Sequence, residues 1–433
     1  MAMVSHPRTV EKLWRNPSFM RFWFGETVSM FGTQVTVLAL PLVAVLSLHA
    51  SATQLGLVRF FAVFPYVLFT LIFGAWADRR RRKPVLILTN IARALLIGLA
   101  PLLALLGVLR LPLLMAIAFG MGVFTVLFDV TWLAYVPTLI KPDELVEANG
   151  RVATSATAAE VAGPGIGGLL VQALSAPLAL LADAFSYVVA AITLLLIRAP
   201  EPAPQVSAGT PLLRQIGEGL QMVWYDSYLR AMMVMSGLWN LLFGIADTTF
   251  LLYAVRELRI QPETLGAIFA VGAVGGLIGA TISTWLGRRG TFGPVLGIAF
   301  TFGCVPWLLL PAVRGAQGVE IAGFMLAYFL VRVGLGLWRV LTLSLVQSIT
   351  PLHTLSRVTA SLRLVSFGLG ALGPLLAGAL GVLIGLRATL WVAAVGYLVI
   401  LAITLAATPL PRIRAMPRGA HAAQGESETA ALV

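Results

Sequence analysis

The chain has 433 residues, 59% of them hydrophobic and 11% charged, with a mean hydropathy of +0.92. That composition excludes an ordinary soluble domain. The net charge of +12 would suit nucleic acid, but its distribution by loop excludes that reading.

In chain order, residues 1–17 read as a polar tail, followed by apolar runs long enough to cross a bilayer. Twelve such segments are expected, at 18–47, 53–77, 85–108, 111–139, 151–174, 177–198, 230–254, 263–286, 292–312, 319–347, 359–384 and 388–408. They make an all-α integral membrane protein of two six-helix bundles, 18–198 and 230–408, with a second polar tail at 409–433. The first segment lacks a small-residue cleavage site, so a removed signal peptide is not expected. The linker, 199–229, opens on Pro200-Glu-Pro-Ala-Pro204. Its apolar residues at Leu212, Leu213, Ile216, Leu220 and Val223 have helical spacing, which suggests a helix lying in the membrane interface.

Placing the N-terminus in the cytoplasm puts seventeen Lys and Arg residues in cytoplasmic loops and five in outer loops. The positive-inside rule therefore expects both termini in the cytoplasm of a bacterial-type inner membrane, with anionic lipid as a partner of the basic loops. The densest of those loops is Gly74-Ala-Trp-Ala-Asp78-Arg-Arg-Arg-Arg-Lys83, between the second and third segments.

The halves repeat. Arg21 and Arg230 follow similar stretches (230 − 21 = 209), and Arg79-Arg80 matches Arg288-Arg289 at the same offset. Arg151-Val152 matches Arg357-Val358 at 357 − 151 = 206. Six spans per half make this a parallel repeat.

Five acids lie inside apolar segments: Glu26, Asp129, Glu160, Asp183 and Asp247. Charge in hydrocarbon costs ~3 kcal/mol per residue or more, so each must pair, face a cavity or carry a proton. The intramembrane cations available as partners are Arg59, Arg93, Arg332 and Arg339. Chemistry of other kinds lacks its residues. The four histidines all lie outside the spans, no metal-ligand spacing exists, and no Gly-x-x-x-x-Gly-Lys-Ser/Thr loop occurs. An enzyme, a bound metal and a cofactor are therefore not expected. Cys304 reads as a packed apolar thiol.

The duplicated architecture and the Gly74-x-x-x-Asp78-Arg79-x-Arg81-Arg82-Lys83 loop resemble the major facilitator superfamily, with Arg81 where that signature has glycine. The runs Leu145-Val-Glu-Ala-Asn149, Ala159-Glu-Val-Ala-Gly-Pro164-Gly-Ile-Gly-Gly168 and Asp183-Ala-Phe-Ser186 resemble its bacterial branch of enterobactin exporter and macrolide-efflux proteins. Gly150, Gly163, Pro164, Gly167 and Gly168 match the antiporter motif of that superfamily, in which Ala159 would be glycine. The motif accompanies export against a coupling ion.

What the resemblance implies is a secondary active transporter, a proton-coupled exporter of a drug, siderophore or metabolite working by alternating access. An importer or facilitator of a nutrient on the same fold is the alternative. In facilitators the first, fourth, seventh and tenth spans line the transport cavity. That points to Glu26, Asp129, Asp247, Arg332 and Arg339 for proton or substrate binding, and to Phe22, Trp23, Phe128, Trp132, Trp239, Asn240 and Trp338 for its walls. Gly74, Asp78, Arg79 and Arg82 would form the cytoplasmic gate, with Asp78 accepting hydrogen bonds near Val358–Ser361. The expected partners are a small-molecule substrate, a coupling proton and anionic lipid, and the expected state is a monomer.

Overall fold

A computed structural model describes residues 13–77, 79–141, 144–198, 201, 212–287, 292–350 and 352–413 of the chain. Its described regular structure is helical throughout. The first helices are α1 (Pro17–Leu42), α2 (Ala52–Ala77), α3 (Arg82–Leu105), α4 (Leu111–Leu139), α5 (Leu145–Leu174) and α6 (Ala176–Leu195). The linker helix α7 (Leu212–Tyr225) precedes α8 (Ser227–Leu252) and α9 (Pro262–Gly287). Then come α10 (Phe292–Cys304), the short α11 (Leu309–Ala312), α12 (Gln317–Ile349), α13 (Leu352–Leu383) and α14 (Leu386–Ala407).

Eleven helical stretches among the described residues are long and apolar enough to cross a membrane. Helix α5 has the length but not the hydropathy, because Glu147, Arg151, Glu160 and its glycines dilute the apolar run. The described residues fall into two compact units, Met1–Ala208 with Gln261–Ala270, and Gly209–Ile260 with Val271–Val433.

Each unit starts from the same local chemistry. Asn16 ends its carboxamide on the free N–H groups of Ser18 and Phe19 (3.1 Å each), and Asp226 does the same for Tyr228 and Leu229 (2.9 Å each). These are N-caps, and they fix where α1 and α8 begin. Both helices close in a π-helical turn, Val43–Ser47 and Tyr253–Glu257, where 253 − 43 = 210. Beyond each turn one non-glycine residue takes a left-handed φ, His49 at 50° and Arg259 at 52°.

The structural repeat therefore runs at 210, not the 209 read from the arginines. A Gly-Pro pair recurs at that offset as well, Gly163-Pro164 in α5 and Gly373-Pro374 in α13 (374 − 164 = 210). The Arg151–Arg357 match at 206 differs from it by four residues, about one helical turn.

The core of the first unit joins Leu13, Phe19, Phe22, Leu86, Phe128 and Tyr135, and that of the second joins Val223, Leu229, Met232, Leu337 and Leu341. The linker helix belongs to the second core. Its Val223 is fully buried there, Leu220 packs against the same cluster, and Gly219 lies against Arg357 and Ser361 of α13. Glu218 pairs with Arg357 at 3.0 Å. Leu220 and Val223 thus face protein.

Candidate transport site

In the first unit the intramembrane charges gather around one guanidinium. Arg93 on α3 is 3% exposed, its Cζ 4.0 Å from the ring centroid of Phe128 and 4.3 Å from that of Tyr187. Such cation–π contacts hold a guanidinium through its faces while leaving the N–H groups at its edge for acceptors. Its hydrogen bond among the described residues runs from Nη2 to Oδ1 of Asn90 at 2.8 Å, and Nε is buried without an acceptor among them. The charge of Arg93 is felt at Glu26 on α1 and at Asp183 on α6.

The acids differ in setting. Glu26 is half-buried and senses both Arg93 and Asp129. Asp129 on α4 is exposed and accepts from the phenol of Tyr66 at 2.8 Å. Asp183 is fully buried, accepting from Thr36 Oγ1 at 2.5 Å and from Ser186 Oγ at 3.1 Å. Tyr187, one turn along, meets Thr33 Oγ1 at 3.1 Å. Glu160 on α5 is exposed.

Close helix crossings make this cluster possible. Gly32 of α1 sits where a Cβ would come within 2.6 Å of Ser186 Cβ and 2.7 Å of Asp183 Oδ1. Gly163 and Gly167 of α5 abut Gln34 and Val35 of α1. Gly168 faces the backbone of Pro262, Glu263 and Gly266, which belong to the same unit. Gly150 is exposed and would meet nothing within 4 Å, so it takes no part in the packing expected of the antiporter-like motif.

In the second unit Asp247 is half-buried and accepts from Tyr328 at 3.3 Å. Arg332 lies beside Gly272 of α9, and Arg339 is exposed. Asn240 donates to the carbonyl of Ser236 at 2.8 Å, and Trp338 packs on Phe300 at 4.7 Å.

Three residues expected on a cavity wall are instead interior. Phe22 is 2% exposed and packs on Tyr135 and Trp132, Phe128 is 4% exposed beneath Arg93, and Trp239 is buried against Phe243 and Tyr397. Trp23 and Trp132 are half-buried and pack against the first core. In a membrane chain an aromatic face gains nothing from lipid over protein, so polarity does not separate wall from core.

At the charged loop, Gly74 approaches Val130 no closer than 3.9 Å for an added Cβ, and Asp78 lies outside the described residues. Arg79 is exposed in a turn closed by its N–H on the carbonyl of Trp76 at 3.2 Å. The backbone N–H groups of Arg82 and Lys83, at the start of α3, both reach the Glu201 carboxylate, and Lys83 Nζ donates to the carbonyl of Ile197 at 2.6 Å. An acid at a helix N-terminus is favoured by the dipole there.

A family model, the Major Facilitator Superfamily, matches residues 22–372. The chain belongs to the Major Facilitator Superfamily. It is an all-α transporter, not an enzyme. Among curated facilitators, the multidrug efflux pump Tap of Mycolicibacterium fortuitum is 28% identical over 90% of this chain and 95% of its own. Macrolide efflux protein A of Streptococcus pyogenes is 21% identical over 61% of this chain and 65% of its own. Among solved structures, the nucleoside transporter NupG superposes with TM-score 0.74 at 10% identity, covering 90% of this chain and 98% of its own. A bacterial homologue of the human lysosomal transporter Spinster gives TM-score 0.70 at 16% identity, covering 92% and 96%.

Three features of this facilitator join residues far apart in the chain. Glu201 was visible only as part of a Pro-rich linker, and nothing local connects it to α3. Arg93 was visible as an intramembrane cation, but its two ring partners come from other helices. The Gly-Pro pair of α13 had a plain signal, since it stands 210 residues after the first.

Proposed function

We propose that this facilitator is a proton-coupled exporter of amphipathic small molecules, working by alternating access. The observation that carries the reading is a half-buried carboxylate, Glu26, on α1 of the unit whose α3 holds the buried guanidinium of Arg93 and whose α4 carries Asp129. An acid so placed can take a proton or a cationic substrate group, and exchange of one for the other couples the two fluxes. The name of the Tap relative supports export of drugs. Asp129, Asp247, Arg332 and Arg339 are proposed as further groups for proton or substrate, with Trp23, Trp132, Asn240 and Trp338 orienting an apolar substrate. The loop holding Gly74, Asp78, Arg79 and Arg82 is proposed as the cytoplasmic gate. The loop charges favour both termini in the cytoplasm of a bacterial-type inner membrane.

Inside-out vesicles carrying the protein test this with ethidium as the probe. Energising the vesicles should drive ethidium inward, a protonophore should release it, and Glu26→Gln and Asp129→Asn should abolish the driven component. Full proton-driven accumulation in both variants would sink the assignment. Uptake in the opposite direction would favour a nutrient importer instead.

A further inference from the structure

The second unit serves as an internal control for the charge cluster of the first. At the structural offset of 210, Arg93 corresponds to Gly303, Asp183 to Ala393, Thr36 to Ala246, Ser186 to Gly396 and Glu26 to Ser236, while Tyr187 keeps its partner in Tyr397. The corresponding helices α8 and α14 still cross closely, with Gly396 admitting Leu242 where Gly32 admits Ser186. Where Arg93 fills the first unit, Trp239 approaches Gly303 in the second, with Nε1 3.8 Å from a Cβ built there.

The fold therefore makes this crossing without an ion. Each buried ion costs ~3 kcal/mol at membrane depth on insertion scales, and apolar replacements of buried ion pairs are often neutral or stabilising. Packing does not explain why the first unit keeps a guanidinium and two acids here. Charge does. With Glu26 and Asp183 both ionised, one guanidinium leaves these two acids with an excess negative charge, to which Asp129 adds, and a proton taken up at either acid lowers it. Both acids share that one cation, so binding a proton at either changes the field at the other.

The groups facing Asp183 are consistent with a site that both holds and releases a proton. Thr36 and Ser186 supply donors, Arg93 faces it from α3, and Tyr187 stands on its own helix. Helix α4 carries Asp129, which is exposed and bonded to Tyr66 of α2, and Tyr135. Helix α5 offers Glu160, which is exposed, and α1 offers Glu26.

We propose that Asp183 is a second proton-binding carboxylate of this transporter, and that Arg93 is the positioning cation coupling its charge state to that of Glu26. The step is proton uptake alone: a carboxylate oxygen gains H⁺ from water and becomes the neutral acid, and release reverses it. This deepens the proton-coupled reading above and rests on it.

Infrared difference titration of the purified protein, following the C=O stretch of protonated carboxyls, tests the proposal without any substrate. Asp183→Asn should remove one titrating band. Glu26→Gln should move the midpoint of the Asp183 band by about 1 pH unit or more. Arg93→Gln should move both midpoints, and Arg93→Lys should restore them in part. If Asp183→Asn does not fold, Ser186→Ala removes one donor, keeps the acid and should still shift its midpoint. A full complement of titrating bands in Asp183→Asn, or midpoints indifferent to Arg93→Gln, overturns the proposal. Ethidium transport by the wild-type protein that ignores the pH gradient would overturn the transport reading alone, since the titration does not depend on it.

Discussion

Ser175, between α5 and α6, has φ 118° and ψ 161°, a conformation that suits glycine alone. Its counterpart between α13 and α14 is Gly385, at φ 85° and ψ 159° (385 − 175 = 210). The two residues do the same work, their carbonyls accepting from Ala179 at 3.0 Å and Thr389 at 3.1 Å. Ser175 is exposed and makes no side-chain cap bond, so Ser175→Gly removes no stabilising hydrogen bond of that kind. Relief of strain is worth ~1–3 kcal/mol, and the greater freedom of an unfolded glycine takes back ~0.5–1 kcal/mol. The net gain expected is about 1 kcal/mol, or roughly 2–4 °C in Tm for a unit of this size. Gly385→Ser should lower Tm by a similar amount. A Cβ there meets nothing within 4 Å, so crowding does not enter. Tryptophan fluorescence during heating in detergent, at one scan rate for all variants, gives the comparison. If Ser175→Gly melts at or below the wild type while Gly385→Ser is neutral, the backbone at this corner is not strained and the reasoning fails.

Further outcomes follow from the packing and the caps. Gly32→Ala should cost ~1–3 kcal/mol by overpacking against Ser186 and Asp183, and adding Ser186→Gly should recover ~1 kcal/mol or more; strict additivity in thermal unfolding would refute the shared crossing. Asn16→Ala should cost more than Asp226→Ala, each ~1 kcal/mol for the cap, because Asn16 Nδ2 also donates to the Leu139 carbonyl at 2.9 Å. Arg387→Lys should lose ~1 kcal/mol, since Nε and Nη2 both reach the Pro311 carbonyl (2.9 and 2.6 Å) and an ammonium cannot reproduce that fork; a Tm equal to wild type would count against it. Gly266→Ala should reduce folded yield, because its Cβ would press on the Pro164 carbonyl and lie 3.1 Å from Gly168 Cα, whereas Gly165→Ala, in open space, should leave yield unchanged.

The spans themselves were legible because length and hydropathy alone define them, and the linker helix was legible in its apolar spacing. What the residues did not disclose was which side of each span meets protein. Phe22 and Phe128 sit in helices whose few polar residues do not gather on one side, so no amphipathic stripe marks their direction. Arg93 shows the converse. One cation in an apolar run signals a buried partner, yet its partners stand on α1, α4 and α6, which local sequence does not join. The repeat was found from arginines, but α1 and α8, capped at Asn16 and Asp226, begin 210 residues apart, so arginine-rich ends are looser markers than backbone devices.

The paired π-helical turns mark the repeat in the backbone itself. In each, an N–H reaches five residues back, Leu48 to Val43 at 3.1 Å and Leu258 to Tyr253 at 3.2 Å, and the next bond spans six, Ala50 to Ala44 and Ile260 to Ala254, both 2.8 Å. A π-helical turn is rare and occurs as a single turn within or at the end of an α-helix. Both halves place it at the same point and follow it with a left-handed residue, His49 and Arg259. The turn is therefore as much a part of the repeated unit as the helices it joins. The Arg93–Asp183 cluster has no counterpart at that offset, where Gly303 and Ala393 stand, so the halves share their backbone devices and differ in their charge.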